Sequence, residues 1–327
     1  MSCEQIAGHN ARVYEIDETN FGETPDLGAW AWMGVVKDLS PTFNPNVVKV
    51  TGVGSRRYLD RLDGAWETSL GASLVPKGPS NLVKWLELAL GSATGTTEGC
   101  LGSKSIEAYL KRGSFFLANL YNGCKVRSMS LSWSYGQPLG MDLDLACQYV
   151  QTSKVSSGDP HWLTTYVGFQ DLSIASRGAP SVAKPYNFNN VAKPLIDWGA
   201  GLVALPPVDT MSLSFDNSLA LLPGEVLGDD GLWLPVPYGW AEEAQELTAN
   251  ITVNPKELDA YQRLVKRDDH IEALEVKIRH PDGSGFTETL IRLLDGGIDT
   301  GDMSLSELVL LKLPLSLSFK EVEVITT

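Results

Sequence analysis

Few residues in this chain are spaced for chemistry. The four histidines, His9, His161, His270 and His280, fall in no His-x-His or His-Glu-x-x-His pattern that would put two imidazoles on one metal. Cys3, Cys100, Cys124 and Cys147 make no Cys-x-x-Cys pair and have no histidine at ligand spacing, so they read as free thiols made in a reducing compartment. No Gly-x-Ser-x-Gly elbow and no phosphate loop occurs. Thr51-Gly52-Val53-Gly54 follows a strand-like run, but Arg57 stands where a dinucleotide loop needs glycine. Asp299-Thr300-Gly301 matches the aspartic-protease triplet, whose chemistry needs two carboxylates sharing a proton; the triplet occurs once. With Asp295 and Asp302 close by, it reads as an acidic turn whose spacing fits no helix-loop-helix calcium site. The expectation is a protein that is not an enzyme, with no catalytic residues, no metal and no cofactor.

The strongest pattern is structural. Arg127, Met129, Leu131 and Trp133 alternate with Ser128, Ser130, Ser132 and Ser134. After Tyr135-Gly136-Gln137-Pro138, Met141, Leu143, Leu145, Cys147 and Tyr149 alternate with Asp142, Asp144, Ala146 and Gln148. Successive strand side chains point to opposite faces, so this predicts an antiparallel pair with one greasy and one polar face. The motif returns as Met211-Ser212-Leu213-Ser214-Phe215 and as Leu315-Ser316-Leu317-Ser318-Phe319. A strand face of small hydroxyls and carboxylates has no reactivity of its own; it suits a wall.

The bulk numbers agree. A chain of 327 residues with 43% hydrophobic content can bury one large or two ordinary cores. A net charge of −14 counts against gripping nucleic acid by its phosphates. The first residues lack the basic and apolar regions of a signal peptide, and the Leu82–Leu90 run is far short of the roughly 20 residues of a membrane span.

Along the chain, residues 1–45 read as an irregular arm, with only Ala31–Val36 strand-like. Val47–Val53 and Trp66–Val75 are strand-like, and Pro79-Ser80-Asn81 opens a helix that Gly91 stops. Ile106–Leu110 and Ser114–Leu120 are strands joined by a basic turn, and Asn122-Gly123 signals a tight hairpin. Residues 152–162 suit a linker, Trp162–Ile174 a strand pair, and the proline-rich 176–207 a long loop. Leu247–Val253, Leu274–Ile278, Thr287–Leu294 and Leu308–Ile325 are strands, with a parity slip between Phe319 and Val322. Asn254-Pro255-Lys256-Glu257 starts a second short helix. Each half thus offers strands and one short helix. The predicted fold is mainly β: tandem antiparallel β-sandwich or barrel domains over residues 1–158 and 159–327, each flanked by one helix.

The order of these features resembles the tail tube proteins of long-tailed viruses of bacteria and archaea. The resemblance rests on Val50–Gly54, on the helix ending Leu88-Ala89-Leu90-Gly91, on Asn122 through Ser132 with Met141-Asp142-Leu143-Asp144-Leu145, and on Ser212 through Leu219. It implies a virion protein, assembled in the host cytoplasm, whose rings stack into a hollow tail tube. Neighbouring sheets would join into one barrel, viral DNA would pass through without specific binding, and other tail proteins (terminator, tape measure, tip) would be partners; no membrane is involved. Tandem tube domains predict a ring of three chains, and one tube domain per chain predicts six. The rival reading is a carbohydrate-binding or adhesive β-sandwich using the nine tryptophans.

Overall fold

The computed structural model describes residues 11–25, 30–44, 48–51, 58–62, 67–91, 101–112, 115–154, 186, 188–205, 207–224, 226–227, 233–234, 237–253, 270–281, 286–301 and 313–326. Strands β1 (Ala11–Asp17), β2 (Ala31–Trp32), β3 (Val35–Asn44), β4 (Val48–Thr51), β5 (Tyr58–Leu62) and β6 (Glu67–Val75) precede helix α1 (Pro79–Leu90). Then come β7 (Lys104–Arg112), β8 (Phe115–Ser134), β9 (Gly140–Cys147), β10 (Tyr149–Lys154), β11 (Leu195–Asp197), β12 (Leu202–Ala204) and β13 (Val208–Asp216). The chain continues through β14 (Leu219–Pro223), β15 (Val226–Leu227), β16 (Trp233–Leu234), β17 (Pro237–Glu242) and β18 (Glu246–Val253). It closes with β19 (His270–Pro281), β20 (Phe286–Gly301) and β21 (Leu313–Thr326). The linker core, the 162–174 strand pair and the second helix lie outside the described residues.

Asn122-Gly123 is not a hairpin. It sits inside the 20-residue strand β8. Lys104 pairs with Cys124 and Ile106 with Tyr121, so β8 spends one residue more than β7 there. Gly123 takes φ +61°, and a Cβ on it would lie 2.8 Å from the Gln148 Cβ and 3.0 Å from the Phe21 ring. The positive φ that suits a tight turn also suits a bulge; here the chain keeps its direction and changes sheets. Before the bulge β8 pairs with β7 and β10, and after it with β9 and β13. The smaller sheet is thus β10-β8-β7-β1-β2, and the larger runs β3-β6-β9-β8-β13-β18-β21-β20-β19-β11-β12, every pairing antiparallel.

The predicted alternation places the core. Met129, Leu131, Trp133, Met211, Leu213, Phe215, Leu247, Ala249, Ile251, Leu315, Leu317 and Phe319 are all buried on one face of the larger sheet. Each such Leu or Met contributes roughly 2 kcal/mol by leaving water. Arg127 departs from the expected parity. Val126 pairs with Leu145 and Ser128 with Asp144, which leaves Arg127 as the bulged residue, and its guanidinium reaches Glu67 on the polar side. A bulge turns two successive side chains toward one face, which an unbroken period of two misses.

Helix α1 covers the apolar face. Its Leu82, Trp85, Leu86, Leu88, Ala89 and Leu90 are buried, and it contacts β8, β20 and β21. Gly91 ends it in the left-handed region at φ 76°. Asn217 ties the helix end to the sheet: its Nδ2 donates to the Ala89 carbonyl at 2.9 Å and to the Val126 carbonyl at 2.8 Å. The Ala89 carbonyl, in the last turn, lacks a partner within the helix, so a buried amide is the natural donor.

Strand order repeats across the two halves. The first runs β3, β6, β9, β8, β7 and the second β13, β18, β21, β20, β19. Ala72 lies between Leu39 and Leu143, and Ala249 between Leu213 and Leu317. A hairpin, β4–β5 or β14–β17, interrupts each half between its first two strands. Leu70-Gly71-Ala72-Ser73-Leu74 thereby corresponds in position to Leu247-Thr248-Ala249-Asn250-Ile251.

The parity slip at Phe319–Val322 is a shared bend. Leu294 stays opposite Glu321 and Gly296 opposite Phe319 while burial jumps from Leu293 to Ile298 on β20 and from Phe319 to Val322 on β21. A Cβ on Gly296 would lie 2.4 Å from the Phe319 ring and 2.5 Å from the Ser318 carbonyl oxygen. Gly296→Ala is therefore expected to destabilise the fold by roughly 3 kcal/mol or more, read as a lower urea midpoint. An unchanged midpoint would show that the bend opens freely.

Candidate functional site

The polar face of the larger sheet is the one extended surface the echoed strands build together. Ser130 lies opposite Asp142 on one side and Ser214 on the other; the row continues through Thr248 to Ser318 and, at the far end, to Ser73. A second row joins Gly140, Ser132, Ser212, Asn250, Ser316 and Thr300. The three echoes thus lie on β8, β13 and β21, with β18 between the last two. The chain segments are far apart in sequence, but their shared parity makes their hydroxyls coplanar.

Hydrogen bonds hold the wall's carboxylates in place. The Ser73 hydroxyl donates to Asp142 at 2.5 Å and the Ser318 hydroxyl to Asp299 at 2.9 Å. Arg127 donates to Glu67 at 2.8 Å, stands 3.7 Å from Asp144, and lies over the Trp240 ring at 5.7 Å. Its charge is thus matched on the surface. Strands β13 and β18 carry Asp209, Asp216 and Glu246 and no lysine or arginine. A shallow hollow of about 520 Å³ lies on this face, bordered by Ser132, Gln137, Thr210, Ser212, Asn250 and Ser316, with Lys37 at its rim. Hydroxyls and amides share its lining with Trp133, Pro138, Met211 and Pro314.

The candidates for chemistry do not converge. Asp299 is the bulged residue of β20, since Ile298 pairs with Leu317 and Thr300 with Ser316. The segment expected to be an acidic turn is therefore strand, because its residues continue the ladder to β21. Asp295 faces Lys320 at 2.7 Å and His270 at 3.8 Å; the lysine hydrogen bond holds its carboxyl below the usual range. His280 packs edge-on against Tyr186, ring centroids 5.1 Å apart. Cys124 and Cys147 are buried neighbours. His9, His161, Cys3, Cys100 and Asp302 lie outside the described residues. Among the described residues, no three His, Cys, Asp or Glu side chains gather as a metal site would require, and no helix is long and apolar enough to cross a membrane. Of the tryptophans whose burial is described, Trp30, Trp85, Trp133 and Trp240 are buried and Trp32 and Trp198 half-buried.

Two polar clusters, partly buried, escaped the sequence reading. Glu18 accepts from the Gly22 and Gly123 amides at 2.9 Å each and from the Ser103 and Ser105 hydroxyls at 2.7 and 2.6 Å. It clamps the N-terminal segment onto the β8 bulge. Lys104 sits 3.6 Å from Glu15 and bonds Asp17 beneath the Trp85 ring, and burial pushes the Glu15 carboxyl up. Both clusters belong to a segment with no readable period: Val13, Tyr14, Glu15 and Ile16 are buried in succession, on both faces of β1.

Comparison with known proteins gives the wall a context. A family model described as "Phage tail tube protein" matches residues 8–308. No curated protein matches the chain. A solved structure described as the tail of an empty GTA particle, computed with helical refinement in C6 symmetry, is 14% identical; the match covers 43% of this chain and 98% of that one, with a TM-score of 0.27. The family match spans nearly all of the wall-forming strands in both halves: the chain belongs to the phage tail tube protein family and is a structural protein of the viral tail.

Proposed function

We propose that this chain is a tandem repeat of two tube units, about 1–158 and 159–327, and that three chains close into a ring whose bore is the hydroxyl-rich wall. Stacked rings form the tail tube through which viral DNA passes. The observation that carries this is the internal seam. Past its bulge, β8 releases β7 and pairs on that side with β13: Met129 with Phe215, Leu131 with Leu213, Trp133 with Met211. In the second half the described residues of β19 begin at His270, opposite Gly297, and among the described residues Ile298–Gly301 pair only with β21. At the opposite end, among the described residues, β3 pairs only with β6. Strand β3 of one chain is the counterpart of β13, and the edge of β20 past Gly297 in the next is the counterpart of β8.

The correspondence sets a register. By position in the repeat, Pro41 answers to Phe215 and Leu39 to Leu213, while Ile298 answers to Met129 and Gly301 to Leu131. Pro41 of one chain then faces Ile298 of the next, and Leu39 faces Gly301. An exposed sheet edge is a template for another strand, so leaving two on one chain favours association. Two units per chain, six to a ring, give a trimer. The overall charge of −14 keeps duplex DNA from adhering, because no counterions are released to reward contact. Assembly in the host cytoplasm, and docking to terminator, tape-measure and tip proteins at the ends of the tube, follow from the same reading.

Negative-stain microscopy and sedimentation of concentrated purified protein test it. Rings or tubes built of trimers, with a bore wide enough for duplex DNA, are expected. A chain that stays monomeric and is missing from virion tails would overturn the proposal.

A further inference from the structure

Cys124 on β8 and Cys147 on β9 are both fully buried, and their sulfurs stand 2.9 Å apart as free thiols. The strands on which they lie are already paired, Lys125 with Ala146 being the next rung. A disulfide needs sulfurs about 2 Å apart, so closing the bond asks for a movement of about 1 Å and no change of strand register. The location is consequential, because Cys124 follows the Gly123 bulge at which β8 leaves one sheet for the other.

We propose that Cys124 and Cys147 are an oxidation site: thiols while the chain folds in a reducing cytoplasm, and a disulfide once particles meet an oxidising medium. That timing rests on the tail-tube reading; formation of the bond does not. The oxidant is a peroxide. One thiolate attacks a peroxide oxygen, the O–O bond breaks, and a sulfenic acid and water result. The second sulfur then attacks the sulfenic sulfur, the S–S bond forms, and hydroxide leaves as water with the second thiol's proton. In total two thiols and one hydrogen peroxide give one disulfide and two waters. Burial holds the Cys124 thiol well above its usual range. The step is therefore slow and waits on local opening of β8 from β9. Once formed, the bond is shielded from reductant by the same burial. It would tie β8 to β9 next to the Gly123 bulge at which β8 changes sheets.

The test is peptide mapping. Protein purified under reductant, and particles recovered from aerated medium, are unfolded in an alkylating reagent before and after hydrogen peroxide treatment. A Cys124–Cys147 linked peptide, lighter by two hydrogens than the separate peptides and resolved by reductant, is expected in particles and in peroxide-treated protein. It should be absent from the reduced protein. Full alkylation of both cysteines after peroxide, or linkage chiefly to Cys3, Cys100 or another chain, would overturn the proposal. Linkage in isolated protein that forms no rings would support the oxidation site while counting against the tube reading. In Cys147→Ser no Cys124-linked peptide should form, and any oxidised Cys124 should become alkylatable again after reductant; should that variant fail to fold, the wild-type map decides alone.

Discussion

Leu39→Asp combined with Pro41→Asp is expected to yield a folded chain that sediments as a monomer and forms no tubes. In the single chain these positions are inexpensive to change. Pro41 is exposed and Leu39 half-buried on strand β3, which among the described residues pairs with β6 alone. Their counterparts in the second half, Phe215 and Leu213, are buried at the internal seam. If neighbouring chains repeat that seam, two carboxylates would enter an apolar contact without partners. Such burial costs at least about 2 kcal/mol per group, so roughly 4 kcal/mol, or about a thousandfold in association, is expected per interface. Leu213→Asp supplies the contrast: the same change inside the chain should unfold it. Circular dichroism verifies the fold and analytical ultracentrifugation reads the assembly. Tubes formed by the double variant at wild-type concentration would show that β3 is not the seam.

The second large effect concerns the wall. Ser130→Arg with Ser214→Arg places two cations opposite each other on neighbouring strands, in the row that continues to Thr248. Both side chains are half-exposed, so the fold and the ring should survive. In a stacked tube the new cations recur in every ring. Each arginine that meets a phosphate steepens the salt dependence of DNA binding by about 0.9 in log–log slope. Passing DNA should then adhere: particles of normal morphology should release their genome slowly at low salt, and titre should fall by about a hundredfold or more. Ser130→Glu with Ser214→Glu should leave release near the wild-type rate, because added negative charge repeats what the surface already does. Equal titres for the arginine and glutamate pairs would place this face outside the bore.

How much of this was legible beforehand differs by element. The greasy-and-polar alternation of Met129–Trp133 and Met141–Cys147 was readable because a strand sends side chains to opposite faces by local geometry alone. The glycine stop at Gly91 was readable for the same kind of reason, a backbone angle that favours one residue type. Asn122-Gly123 misled because one positive φ serves a hairpin and a bulge equally well. The choice lay with β13 and β9, which wait to pair with β8 farther on. Arg127 misled because a bulge adds a residue without marking it in composition. Strand β1, buried on both faces, has no period to detect, and β11 and β12, three residues each, are too short to show one within a stretch that read as loop.

By itself, then, the order of residues determined that the echoed segments are strands, which face of each is apolar, and that their polar faces are small and hydroxylated. Tertiary structure alone decided that three similar strands would share one sheet and that β8 would serve two sheets. Side-chain parity is set by the backbone of a single strand. Strand partnership is set by contacts between residues far apart in the chain, which no local pattern encodes.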